Sequence, residues 1–222
     1  MFSLVIAESA LELVPKIIQN HPSVIIHAKK LEKNPEDILL DNSWHFAAMK
    51  GMENEFKRGR PDLVHLCLLE ACSTPLYFEN KIRIFLHTID DKVIFIGDNV
   101  RIPKSYHRFA GLIEKLFKEK IVKSDEQKLL ELKEMDFSEL IDRIKPAKII
   151  GFSTLGNNES YQSAASKLDD NSCIVVGGFQ KGHFSESVRK KINNLFSVDN
   201  KSLDAHVVVG RILYEYEKTI FK

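Results

Sequence analysis

Apolar residues in this chain occur as short unbroken runs, as one-face helical spacings and as clusters between turn signals, and each pattern predicts a different element. "FSLVIAES", beginning at Phe2, is an unbroken run that predicts an opening strand. "ALELVPKIIQNH" spaces Leu11, Val14, Ile17 and Ile18 on one helical face, so a helix is expected there despite Pro15. Lys29 to Pro35 is polar and reads as a loop. "RGRPDLVH", Arg58 to His65, opens a helix. Pro61 suits its first turn, Asp62 its positive end, and Val64, Leu68, Leu69 and Cys72 its apolar face. "KIRIFLHT" and "KVIFIGDN", joined by "IDD", read as a hairpin.

A second basic helix follows from about Pro103. At about 100° per residue, Lys104, Arg108, Gly111, Lys115 and Lys118 share one stripe, with Arg101 at the entry and Phe109, Leu112, Ile113 and Leu116 opposite. "SDEQKLLELKEMDFSELIDRI" is charged and amphipathic and is expected to form an exposed helical hairpin. "AKIIGFS" and "CIVVGGF" have the unbroken apolar character of buried parallel strands, each ending in a glycine-containing loop. "SESVRKKINNLF" and "SLDAHVVVGRILYEYEKTIF" supply helices after them, each introduced by a serine able to cap it. No repeat or linker interrupts the pattern. The expectation is one α/β domain over residues 1–222, with a mostly parallel central sheet and a lobe inserted mid-chain.

Composition narrows the functions available. A chain of 222 residues with 44% apolar residues can bury one substantial core. It contains no apolar run long enough to span a bilayer and no secretory signal pattern, so a soluble, cytoplasmic protein is expected. Cys67, Cys72 and Cys173 form no CxxC pair and are expected to be reduced and buried. A formal charge of +1 exerts no global pull on nucleic acid, so such a partner would need a local basic patch. Arg60, Arg101 and Arg108 recur beside predicted helix starts, where backbone N–H groups also favour anions. Lys115 and Lys118 read as a solvated face.

The loop "GGFQKGHFS", Gly177 to Ser185, lies between a predicted strand and a predicted helix, where α/β proteins bind ligands. Its glycines do not fit GxGxxG, and His183 occupies the lysine position of the other phosphate-loop pattern, so a phosphate cradle is not expected. HExxH, CxxC and G-x-S-x-G are absent, which argues against metal catalysis and a serine nucleophile. His65 and His87 lie among apolar residues and read as packing histidines.

"RGRPDLVH", "FLHT", "RIPKSYHRFAGL" and "IVVGGFQKGHFSE" stand in an order and spacing that resemble the SPOUT-class small-subunit ribosomal RNA pseudouridine methyltransferases, over nearly the whole chain. The RPD-x-x-H and R-I-P-[RK]-x-x-x-R elements carry the resemblance, and the short N-terminus looks archaeal. It implies a homodimer with a trefoil-knotted C-terminal region that binds S-adenosylmethionine. The matching cofactor positions are Phe152, Gly177, Gly182 and the "VDNKSL" segment Val198, Asp199, Asn200, Lys201, Ser202 and Leu203. Arg60, Arg101, Lys104 and Arg108 match RNA-contacting positions, and Asp62 the carboxylate that orients an arginine.

Lys104 replaces a common arginine, keeping the charge but losing the bidentate fork, and Ser202 replaces a common proline. "GFSTLGNN" matches its counterpart loosely. The implied reaction is methylation of pseudouridine at ring nitrogen 1 in 16S ribosomal RNA, within small-subunit assembly. No proton acceptor is assigned: Asp62 is given a positioning role, and His65 is second choice as a base. Ribosomal proteins or assembly factors are the further partners this role suggests. A non-catalytic RNA-binding assembly factor, or an enzyme acting on another RNA such as transfer RNA, are the alternatives.

Overall fold

The computed structural model describes residues 1–124 and 127–221. Its strands are β1 (Phe2–Ser9), β2 (Ile82–Thr88), β3 (Lys92–Ile96), β4 (Ile121–Ser124), β5 (Gln127–Glu134), β6 (Lys148–Asn158), β7 (Ser172–Gly177) and β8 (Asn194–Ser197). Its helices are α1 (Pro22–Lys30), α2 (Asn42–Met49), α3 (Pro61–Ala71), α4 (Pro75–Phe78), α5 (Tyr106–Glu119), α6 (Phe137–Ile144), α7 (Tyr161–Ser166), α8 (Glu186–Lys191) and α9 (Ala205–Ile220). The strands join in one sheet of order β4-β5-β3-β2-β1-β7-β6-β8. From β2 to β8 the neighbours run parallel, and β3, β5 and β4 extend the same sheet antiparallel.

Alternation along β1 shows how the layers form. Phe2, Leu4 and Ile6 point into a core shared with α3, α5 and α9, whereas Val5 and Ala7 point to the other face, under α6 and α8. Both faces of the parallel strands are covered, which explains their unbroken apolar runs. A smaller cluster, Val14, Ile18, Val24, Ile38 and Leu40 with Ala48 and Met49, holds α1 against α2.

Several expected elements take another form. The segment expected as a helix from Ala10 runs extended instead: the Val14 N–H donates to Ile38 O at 3.0 Å, Leu13 bridges Leu39, and only Lys16–Ile18 makes a 3-10 turn. Pro15 forces this, since it lacks an N–H and disfavours helical backbone at Val14. Ile17, expected on the buried face, is 79% exposed. In the expected helical hairpin, Asp125 and Glu126 lie outside the described residues. Gln127–Glu134 is a strand, burying Leu130 and Leu132 at period two against β3 and β4, and only Phe137–Ile144 is a helix. Asp136 and Glu139 close a reciprocal capping box at that helix start.

The strand of "AKIIGFS" does not end in a loop but continues as β6 to Asn158, and Asn194–Ser197 is strand rather than helix. Ser185 caps α8 as expected, but the residue at the start of α9 is Asp204, not Ser202. α1 runs on through Lys30, two residues into the expected loop. The three cysteines are free and buried, and burial pushes each thiol up to about 12.

Candidate functional site

Parallel neighbours β7, β6 and β8 lie side by side in the sheet, and β6 itself, with the segments that follow β7 and β8, lines a cavity of about 510 Å³. Phe152 is at its β6 wall, followed by Ser153 and Thr154. Gly177 and Gly182 bring the loop after β7, and Val198, Asp199, Lys201, Ser202 and Leu203 bring the segment after β8. Asn200 is exposed and does not line the cavity. Phe179, Gln180, His183 and Asp204 line it as well, without having been singled out in the sequence. The first three stand inside "GGFQKGHFS", where the glycines alone drew attention; Asp204 follows "VDNKSL" directly.

The glycine loop is laid along β1 by main-chain hydrogen bonds, the Gly178 N–H donating to Ala7 O and the Ala10 N–H to Gly178 O, both at 2.8 Å. Gly182 has φ +112°, a conformation that an L side chain rarely adopts.

Arg60 and Leu63 bring the start of α3 to the same cavity. The Arg60 guanidinium donates through Nε and Nη2 to the two Asp62 oxygens, each at 2.8 Å, a bidentate pair that holds its pKa above the ordinary value. Arg58 does something different. It pairs with Glu12, donating from Nε to Oε1 at 2.8 Å and also from Nη2 to Oε2. Glu12 is 3% exposed, and its burial, opposed by Arg58, raises its pKa. One arginine of "RGR" therefore anchors the turn while the other serves the cavity.

The remaining basic residues sit on a neighbouring surface. Arg101, Lys104 and Arg108 are exposed and make no ion pair among the described residues. His65 ties that surface to α3: its Nε2–H donates to Pro103 O at 2.6 Å, and its ring stacks on Phe109 with centroids 4.4 Å apart. It is 4% exposed and does not line the cavity. His87 is buried elsewhere, accepting from the Glu8 N–H at 3.2 Å, with its pKa lowered by burial. Asp41 accepts from the Tyr106 hydroxyl at 2.6 Å, fixing the start of α5 to α2.

The family described as EMG1/NEP1 methyltransferase matches residues 4–217. The chain belongs to this family. Among its relatives, the ribosomal RNA small subunit methyltransferase Nep1 of Thermococcus sibiricus is 40% identical over 222 residues, covering 99% of each chain. The Pyrococcus furiosus Nep1 is 37% identical, covering 99% of this chain and 97% of its own length. The crystal structure of Archaeoglobus fulgidus Nep1 bound to S-adenosylhomocysteine superposes with a TM-score of 0.87 at 33% identity, covering 97% of both chains. The α/β fold with its mostly parallel half-sheet is thus that of an EMG1/NEP1 methyltransferase. In this EMG1/NEP1 chain the cavity and the basic surface meet at α3, where Arg60 faces one and His65 supports the other.

Proposed function

We propose that the protein transfers a methyl group from S-adenosylmethionine to ring nitrogen 1 of a pseudouridine in small-subunit ribosomal RNA, acting as a cytoplasmic homodimer during subunit assembly. One observation carries this reading: three chain segments far apart in sequence, at Phe152, Gly177–Gly182 and 198–203, line a single cavity together with Arg60. The named relatives, methyltransferases of small-subunit ribosomal RNA, support the substrate class.

The cavity suits the cofactor. Its volume of about 510 Å³ is in the range of small-molecule sites, and Phe152, Val176 and Leu203 supply apolar walls for an adenine. The Asp199 and Asp204 carboxylates suit ribose hydroxyls and an ammonium group. When bound, S-adenosylmethionine supplies an electrophilic methyl group on a sulfonium. A C-terminal trefoil knot around this site is part of the proposal. Its support is the tight passage at Gly156, where a Cβ would lie 2.5 Å from the Phe196 backbone.

Arg60, locked by Asp62, holds the RNA at the cavity mouth, and Arg101, Lys104 and Arg108 neutralise phosphates of the flanking strand. The pseudouridine N1–H proton must leave as N1 attacks. Asp62 is engaged with Arg60 through both oxygens and His65 is buried, and neither lines the cavity, so neither is assigned as its acceptor. The chain works by aligning the attacking nitrogen with the methyl group, and water or the RNA accepts the proton.

Two hairpins that differ only in uridine or pseudouridine at the target, incubated with labelled S-adenosylmethionine, test this. Label is expected in the pseudouridine hairpin alone. Tight binding of both hairpins with no label in either would leave an assembly factor without catalysis.

A further inference from the structure

The loop after β7 is fastened through one carboxylate. Glu8, near the end of β1, adopts φ +49°, and its side chain is buried. Its Oε2 accepts from Lys57 Nζ at 2.9 Å, and its Oε1 accepts from the Ser185 N–H at 3.0 Å. Its own N–H donates to His87 Nδ1, which leaves the His87 Nε2–H to donate to Asp91 at 3.0 Å and steadies this backbone from below.

Lys57 extends the contact into the loop. Its Nζ lies 4.6 Å from the centroid of the Phe179 ring, and its Cε stands 3.1 Å from the Cβ position of Gly182. Phe179 and Gly182 both line the main cavity, and Ser185 closes the loop as the cap of α8. Gly178 is bonded to β1 directly, so the middle and end of the loop depend on Glu8. Glu8 itself lines a separate cavity of about 290 Å³, beside Lys57, His87 and Ser185. A buried ion pair is weak evidence for stability, and a non-glycine residue in the left-handed region adds strain. Both features make sense if the pair serves loop geometry.

We propose that Glu8 is a positioning residue for the cofactor: by holding Lys57 and the Ser185 N–H, it keeps the loop from Phe179 to Ser185 pressed on the cavity without itself touching the ligand. This rests on the cavity binding S-adenosylmethionine. The arginine turn has its own anchor in Arg58 and Glu12, so RNA affinity is independent of Glu8.

Calorimetry with S-adenosylhomocysteine on the full chain, with melting curves and hairpin binding alongside, tests it in Glu8→Gln, Glu8→Gly and Lys57→Met. Glycine accepts φ +49° without strain, so Glu8→Gly removes the carboxylate and spares the backbone. The expected result is a cofactor Kd raised about tenfold in all three. Hairpin Kd should stay within about twofold, and in turnover the cofactor KM should rise while kcat holds. Unchanged cofactor affinity in Glu8→Gly and Lys57→Met would overturn the role, even if Glu8→Gln failed to fold. Parallel loss of cofactor and RNA affinity would reduce Glu8 to a structural residue and overturn it equally. A wild-type protein that does not bind S-adenosylhomocysteine would instead remove the cofactor reading, a separate outcome.

Discussion

At the residue scale, the two kinds of arginine separate by their partners. Arg60 is held rigid by Asp62 at the cavity, whereas Arg108 stands on the surface with no ion pair among the described residues. Arg108→Ala should therefore behave as loss of a single phosphate contact, weakening hairpin binding and reducing its salt slope by about 0.7 while leaving cofactor affinity intact. A titration of hairpin Kd against salt measures this. Gly182→Ala should act in the opposite sense. The added methyl group meets the Lys57 stem in a backbone conformation that alanine resists, so cofactor affinity should fall several-fold in calorimetry with hairpin affinity unchanged.

At the scale of elements, α3 matters because it carries both halves of the site. His65 joins it to the loop before α5 through the Pro103 carbonyl, and a phenylalanine would keep the stacking on Phe109 but remove the donor. His65→Phe should cost about 1–3 kcal/mol in denaturant unfolding, the penalty of an unsatisfied buried acceptor, and should weaken RNA binding with it. The contact between α1 and α2 is set by a second pair of histidines. The Asp41 N–H donates to His45 Nδ1, so His45 Nε2–H donates to His27 Nδ1 at 2.9 Å, and Trp44 stacks on the His27 ring. Burial, reinforced by His27, pushes His45 from 6.5 down to about 4, and burial also lowers His27 against the pull of Asp41 and Glu114. Between those values the unfolded chain binds more protons than the folded one, so stability is retained above pH 6.5 and lost as pH falls. Tm measured from pH 7 to pH 5 should drop, and His45→Gln should flatten the slope.

For the whole molecule, the decisive contacts are long-range. At Gly156, β6 passes against the backbone of β8, so Gly156→Ala cannot be relieved by turning a side chain aside. It should destabilise the fold by about 3 kcal/mol in denaturant unfolding, and cofactor binding should be lost with the folded state. Much of the plan was legible beforehand. Strands β1 and β7 and the start of β6 are buried on both faces and read as apolar runs; α3 announced itself by Pro61 and Asp62; and the faces of α5 followed from helical spacing, although Lys104, expected on its basic stripe, precedes the helix. These features are local, governed by proline geometry, helix period and side-chain polarity, so neighbouring residues suffice to specify them. The resemblance of their motifs also pointed to Phe152, Gly177, Gly182 and five of the six residues from Val198 to Leu203, which line the cavity, but not to Phe179, Gln180, His183 or Asp204. What only the tertiary structure decided is where the chain meets itself. The apolar spacing around Pro15 suits a helix until Ile38 and Leu39 offer strand partners, and Leu130 and Leu132 become strand residues because β3 lies beside them. Asp62 stands two residues from Arg60, whereas the anchoring role of Arg58 appears only once the fold brings Glu12, 46 residues away in the chain, against it. Glu8 carries no local signal, since its partners are 49 and 177 residues away in the chain, and hydrogen bonds over such separations exist only once the sheet has brought them together.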